Sequence, residues 1–161
     1  MLKHLLVPLD GSKLAEEAIP YAREIIAPDN RITLVYAVEI PEIINNYYPS
    51  LTIDKEGIKN QQIASANHYL AEMAADLKKE GIYTQFEATI GDPANIIKEA
   101  AERLGVDAIV MSSHGRSGIG RFLFGSVTNK ILETKVCPVF VIPSKASVPV
   151  EAPAKVLEPV N

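Results

Sequence analysis

Between Val106 and Ile131 the chain reads VDAIVMSSHGRSGIGRFLFGSVTNKI, and its small residues are spaced to hold an anion. Ala108, Ile109, Val110 and Met111 are apolar without alternation, as expected of a strand covered on both faces. A polar, glycine-rich stretch follows from Ser112 to Gly120, and a helix resumes with Gly125, Ser126, Val127 and Thr128 in its first turn. Such a stretch can turn backbone N–H groups inward, and a helix start adds unpaired donors and a partial positive charge. Gly115, Gly118, Gly120 and Gly125 lack a Cβ, so a phosphate can approach the main chain there. Asp10, at the tip of the first strand, has two readings: it meets a ribose or a metal, or it satisfies the turn that starts the next helix. Other phosphate and metal patterns fail. No Gly-x-x-x-x-Gly-Lys-Ser/Thr occurs, Gly118-Ile119-Gly120 lacks the third glycine of a dinucleotide fingerprint, and there is no His-Glu-x-x-His or paired-Cys site. Ser113, His114 and Asp10 make no hydrolase triad, because no nucleophile elbow is present.

These residues need a frame, and the hydrophobic pattern supplies one. His4 to Leu9 read as a first strand, followed by a helix that Ser12 caps and that buries Leu14, Ala18, Ala22 and Ile25. Pro20 inside that helix kinks it or removes one backbone bond. Pro28-Asp29-Asn30 reads as a turn, and Arg31 to Val38 as a second buried strand. Residues 39 to 53 contain Pro41 and Pro49, Asn45-Asn46 and Tyr47-Tyr48; they read either as a surface loop tucked on its own tyrosines or as a lid over a bound base or a partner contact. Asp54 to Lys79 form a long helix with Ile63, Ala66, Leu70, Met73 and Leu77 on one face. His68 and Tyr69 fall off that stripe, and His68 reads as a solvated helix residue. Ile82 to Ile90 alternate like a strand with one exposed side. Asp92-Pro93 then open a helix that Gly105 closes. The last helix runs on to Thr134, and Val136 to Ile142 form the final strand, with Pro138 suited to an edge. The β-α alternation gives an α/β fold with a parallel five-stranded sheet and helices on both faces, and ligands of such sheets bind beyond the strand ends where strand order reverses.

Ser113-His114-Gly115, nine residues, then Gly125-Ser126 resembles the ATP-binding signature of the universal stress protein family: Gly, two residues, Gly, nine residues, Gly, then Ser or Thr. Gly115 and Gly125 match the second and third glycines and Ser126 the hydroxyl, while Ser112 replaces the first glycine. The resemblance covers residues 2 to 143 in element order. It implies a three-layer open sandwich of the adenine-nucleotide alpha-hydrolase-like type with strand order 3-2-1-4-5. It also implies ATP or another adenine nucleotide as ligand, with Mg²⁺ accompanying the phosphates. By the same resemblance Asp10 holds the ribose, the backbone at Ala37 and Val38 meets the adenine, and Pro8, Leu9, Ser12, Met111 and Ser112 complete the surroundings. The phosphates fall to the N–H groups of Gly115, Gly125 and Ser126 and the hydroxyls of Ser126 and Thr128, with Val127 beside them. Arg116 and Arg121 add charge or are simply solvated, and His114 braces the loop or touches ligand. The family dimerises through its last strand, here Val136–Ile142.

Composition bounds the rest. The chain has 161 residues, 47% of them hydrophobic, which fits one domain over residues 1–143 with a Pro/Val-rich tail at 144–161. A net charge of −4 argues against a nucleic-acid partner, and no apolar run approaches a membrane span. Asp10 comes too soon for a signal peptide, so the expected location is cytoplasmic. The single cysteine, Cys137, reads as a small buried hydrophobe. No motif residue is an evident base for an attacking water. The function expected is therefore a nucleotide-binding regulatory dimer with hydrolysis slow or absent. A slow Mg-dependent ATPase and a nucleotide-free adaptor stay open beside it.

Overall fold

The computed structural model describes residues 2–40, 54–113 and 124–143. Strand β1 spans Leu2–Leu9 and is followed by helices α1 (Lys13–Glu16) and α2 (Ala18–Ile25). The helical run breaks at Glu17 because Pro20 has no N–H to give the Glu16 carbonyl four residues back. Strand β2 spans Ile26–Val38, longer than the expected Arg31–Val38. The Pro28-Asp29-Asn30 turn survives as an irregularity inside it: Leu2 pairs Ile26 but His4 already pairs Arg31. Asp29 takes a φ of 61° there, and the Asn30 side chain donates to the carbonyls of Ala27 and Pro28 at 3.1 and 2.8 Å.

Helix α3 spans Lys55–Lys79, capped by the Asp54 carboxylate on the Gly57 N–H at 2.8 Å. It buries Ala66, Leu70, Ala74 and Leu77. Tyr69, expected off this face, is half-buried against the same core, because a ring on that flank reaches Tyr36 in an edge-to-face contact. His68 is solvated as expected and lies 3.5 Å from Glu72 one turn on. Strand β3 (Tyr83–Ile90) precedes α4 (Pro93–Leu104), which Asp92 caps at the Asn95 N–H and Gly105 ends with a φ of 57°. Strand β4 is Ala108–Ser112, α5 is Ser126–Thr134 and β5 is Val139–Ile142. The last strand is therefore shorter than the expected Val136–Ile142. Pro138 cannot donate to the ladder, so only its carbonyl is used, by Ile109 N–H at 2.9 Å. Cys137 is half-buried ahead of the strand, and burial pushes its thiol up.

The five strands are parallel in the order β3-β2-β1-β4-β5, the order that the family resemblance implied, with β3 at one edge. Alternation along the central strands splits the core. Leu5, Val7, Ile32, Leu34 and Val110 face α2 and α3, while Leu6, Val35, Ile109 and Met111 face α4 and α5. Chain direction about the sheet reverses between β1 and β4, so their carboxyl ends flank an opening. Among the described residues, no helix is long and apolar enough to cross a membrane.

The opposite end of the sheet holds a buried polar knot. His4 is 6% exposed and its Nε2 lies 2.9 Å from Thr33 Oγ1. The Asp107 carboxylate accepts from the Lys3 and His4 N–H groups at 2.7 and 2.8 Å. Burial, then the nearby Arg31 charge, holds the imidazole below its ordinary 6.5, although Asp107 opposes this. An unfolded His4 takes up a proton near 6.5 while the folded one resists until lower pH. The stability it contributes is therefore present above about pH 6.5 and lost as pH falls below it. In His4→Gln, the slope of unfolding free energy against pH just below 6.5 is expected to flatten, measured by urea titration at a series of pH values.

Candidate functional site

Three chain ends meet where β1 and β4 part. The Leu9-Asp10 end of β1, the Met111-Ser112 end of β4 and the start of α5 border one cavity of about 250 Å³. Ala15, Val35, Ala37, Glu39, Pro93 and Ile97 complete its wall together with Pro8 and Val127. One side is apolar: Val35 and Ala37 lie two apart on β2 and face Pro93 and Ile97 of α4. The other side is polar and is built by α5.

Helix α5 opens on Gly125, which has no side chain to cap it. The first-turn N–H groups of Ser126, Val127 and Thr128 therefore lie at the cavity without a side-chain cap, at the positive end of the helix. Gly125 itself has a φ of −67°, which any residue can adopt. Its N–H is already committed to the Ser113 carbonyl at 2.7 Å, so it is not one of the free donors that the spacing suggested. Thr128 departs from expectation in the same way. The residue is 2% exposed, and its hydroxyl donates to the Ser112 carbonyl at 3.2 Å, with Ser113 O at 3.4 Å. Both groups tie the helix start to the strand end instead of offering protons to a ligand. Ser126, by contrast, is exposed at the mouth.

Asp10 serves the turn and lines the cavity at once. Its Oδ1 accepts the Ser12 N–H at 2.9 Å, and its carbonyl accepts the Tyr36 hydroxyl at 3.0 Å. Ser12 caps α1 through the Ala15 N–H at 3.1 Å and is absent from the lining. Val38 is absent too: its side chain alternates to the other face of β2, and its carbonyl accepts the Gly91 N–H at 3.1 Å. Ala37 therefore stands alone of that pair on the cavity wall. Asp92, capping α4 just ahead of Pro93, is held below the usual carboxylate range first by the Asn95 N–H and then by Lys130 of α5 at 3.2 Å, which braces the two helix starts together. His114, Gly115, Arg116, Gly118, Gly120 and Arg121 lie outside the described residues, as does most of the 39–53 stretch.

Ala15, Val35, Glu39, Pro93 and Ile97 line the cavity but are not among the residues expected there. Alternation on β2 could have given Val35 and Glu39, since each is two residues from Ala37. Nothing local marks Pro93 and Ile97, which arrive from α4 by packing.

A model of the universal stress protein family matches residues 1–143. The chain belongs to that family. Universal stress protein MJ0531 of Methanocaldococcus jannaschii is 29% identical over 147 residues, 88% of this chain and 82% of the relative. Universal stress protein MJ0577 of the same organism is 27% identical, with 91% and 98% covered, and its solved structure superposes with a TM-score of 0.79 over 91% of this chain and 99% of that one. A universal stress protein family structure from Arabidopsis thaliana, solved with AMP bound, shares the fold at a TM-score of 0.63 and 17% identity, over 92% of this chain and 97% of that one. The sheet order and the flanking helices are those of the universal stress proteins, the adenine-nucleotide alpha-hydrolase-like fold.

Proposed function

We propose that this universal stress protein binds an adenine nucleotide, ATP in the first place, across the carboxyl ends of β1 and β4. The observation that carries this is one cavity with a glycine-opened helix start on one side and an apolar slot on the other. A triphosphate seats against the Ser126 and Val127 N–H groups and the Ser126 hydroxyl, joined by Gly115 and its neighbours His114 and Arg116. The sugar crosses β1 at Asp10. The base slides between Ala37 and the Pro93-Ile97 surface. The AMP held by the Arabidopsis protein of this fold supports the same ligand class here. Ser112, where the family signature has glycine, is 5% exposed, and Thr128 is hydrogen-bonded to its carbonyl, so its side chain is accommodated within the strand end.

Mg²⁺ arrives with the phosphates. Among the described residues no group of three His, Cys, Asp or Glu is placed to hold a metal, and magnesium commonly keeps its waters and takes phosphate oxygens. The protein acts as a regulatory binder with hydrolysis slow or absent, located in the cytoplasm. It pairs with a second copy through the β5 edge, where Phe140 is 40% exposed. Light scattering is expected to read twice the 17.5 kDa of one chain, and Phe140→Glu to return the mass of a single copy.

Calorimetric titration of the purified protein with ATP and Mg²⁺ tests the binding. Asp10→Asn sharpens the test because it keeps an oxygen for the Ser12 N–H but removes the charge that would orient a ribose. Its thermal midpoint should stay near that of the parent, while affinity falls about tenfold, or roughly 1.4 kcal/mol. No heat with any adenine nucleotide in the parent protein would end this reading.

A further inference from the structure

On the opposite face of β2 lies a second cavity, of about 580 Å³, between the β1–α1 turn and α3. Its wall carries Tyr36, Tyr69, Glu39, Gln61, Gln62 and Ser65, with Val38, Ile58 and Ala66 between them. Three features define what would fit. Glu39 is the single charged side chain among the described lining residues. Gln62 Oε1 is buried and accepts no hydrogen bond from the described residues, and a buried polar atom left unpaired is costly enough that it marks a place for a donor. Tyr36 and Tyr69 stand edge to face, with ring centres 6.0 Å apart, and bring aromatic surface to the same wall. The Tyr69 hydroxyl already donates to Glu16 Oε1 at 3.2 Å and the Tyr36 hydroxyl to the Asp10 carbonyl, so the protons of neither meet Gln62.

A carboxylate, an unpaired amide oxygen and aromatic rings together select for positive charge and N–H donors, and Glu39 disfavours an anion. We propose that this cavity is a binding site for a small organic cation, an aliphatic amine or guanidine. One N–H group satisfies Gln62, the charge pairs with Glu39, and the alkyl part covers Val38, Ile58 and the tyrosine rings. The site is separate from the nucleotide cavity, although Glu39 borders both, and it does not depend on nucleotide binding.

The test is an NMR titration of the full chain with agmatine, which carries both an amine and a guanidinium. Saturable shifts are expected at the amides of Gly11, Gln62 and Ser65, and they should persist at physiological salt. Gln62→Leu removes the unpaired oxygen, and Ser65→Trp fills the cavity from an exposed helix position. Each should weaken agmatine at least tenfold without lowering the thermal midpoint and without altering the response of Ser126 and Val127 to ATP. Shifts that stay linear, that spread over the surface carboxylates and vanish with salt, or that survive both substitutions would overturn the assignment. A protein that binds agmatine but not ATP would leave this site standing and remove the other.

Discussion

Gly125→Val should weaken ATP binding at least about a hundredfold, close to 2.8 kcal/mol, while leaving the protein folded. Two properties of Gly125 keep the fold intact. Its φ of −67° and ψ of 165° are extended values that valine accepts readily, so the backbone is not strained by the change. Its N–H bond to Ser113 survives as well, since the main chain is untouched. What the substitution alters is space. On the proposed reading, a branched side chain at the first step of α5 would obstruct a phosphate approaching the Ser126 and Val127 donors. Glycine would then serve here by the clearance it leaves, with neither its conformational freedom nor its own donor needed. Gly125→Ala, smaller by two methyl groups, should give an intermediate loss. Calorimetry on both variants, with circular dichroism as the control for folding, decides the matter; ordinary ATP affinity in the valine variant would move the phosphates elsewhere.

Leu6→Ala should cost about 2–5 kcal/mol of unfolding free energy. Leu6 is fully buried on the middle strand and packs in the cluster that includes Val35, Ile97, Ile109 and Ile131. It pairs across to Thr33 on one side and Ile109 on the other, so strands on both flanks limit how far the hole can close. Urea denaturation should show a lower midpoint with an unchanged slope. A loss below about 1 kcal/mol would mean that α4 and α5 settle onto the sheet and refill the volume. Because the same cluster supports Val35, Ile97 and Met111 at the cavity floor, a weaker grip on nucleotide should accompany the loss.

Much of this architecture could be read before any coordinates. Asp92-Pro93 and Gly105 bracket α4 because capping chemistry is local. The meeting of Asp10, Ser112 and the α5 start followed from the fold rule for parallel sheets together with the family signature. What stayed hidden shares one cause: a sequence shows which donors exist but not where they are spent across the fold. Gly125 N–H is taken by Ser113, the Thr128 hydroxyl by the carbonyls beside Ser112 and Ser113, and the Val38 carbonyl by Gly91. Spacing and the family resemblance assign each of them to a ligand. Tyr69 likewise sits off the apolar stripe of α3 by counting, yet Tyr36 and Glu16 draw it in from other elements. The turn at Pro28 to Asn30 is present, but parallel pairing on both sides of it carries β2 past it to Ile26.

The bonds from Gly125 N–H and Thr128 Oγ1 back to the end of β4 form a clasp. The chain leaves the sheet at Ser113, and the start of α5 returns to it through a contact of 2.7 Å from the Gly125 N–H, so the two ends are fastened to each other directly. Residues 114–123 join these two fastened ends in sequence. Lengthening or exchanging that insert costs chain entropy that grows only slowly, on the order of 0.6 kcal/mol per doubling. A graft of foreign residues between Ser113 and Gly125 should accordingly leave the melting temperature within a few degrees of the parent.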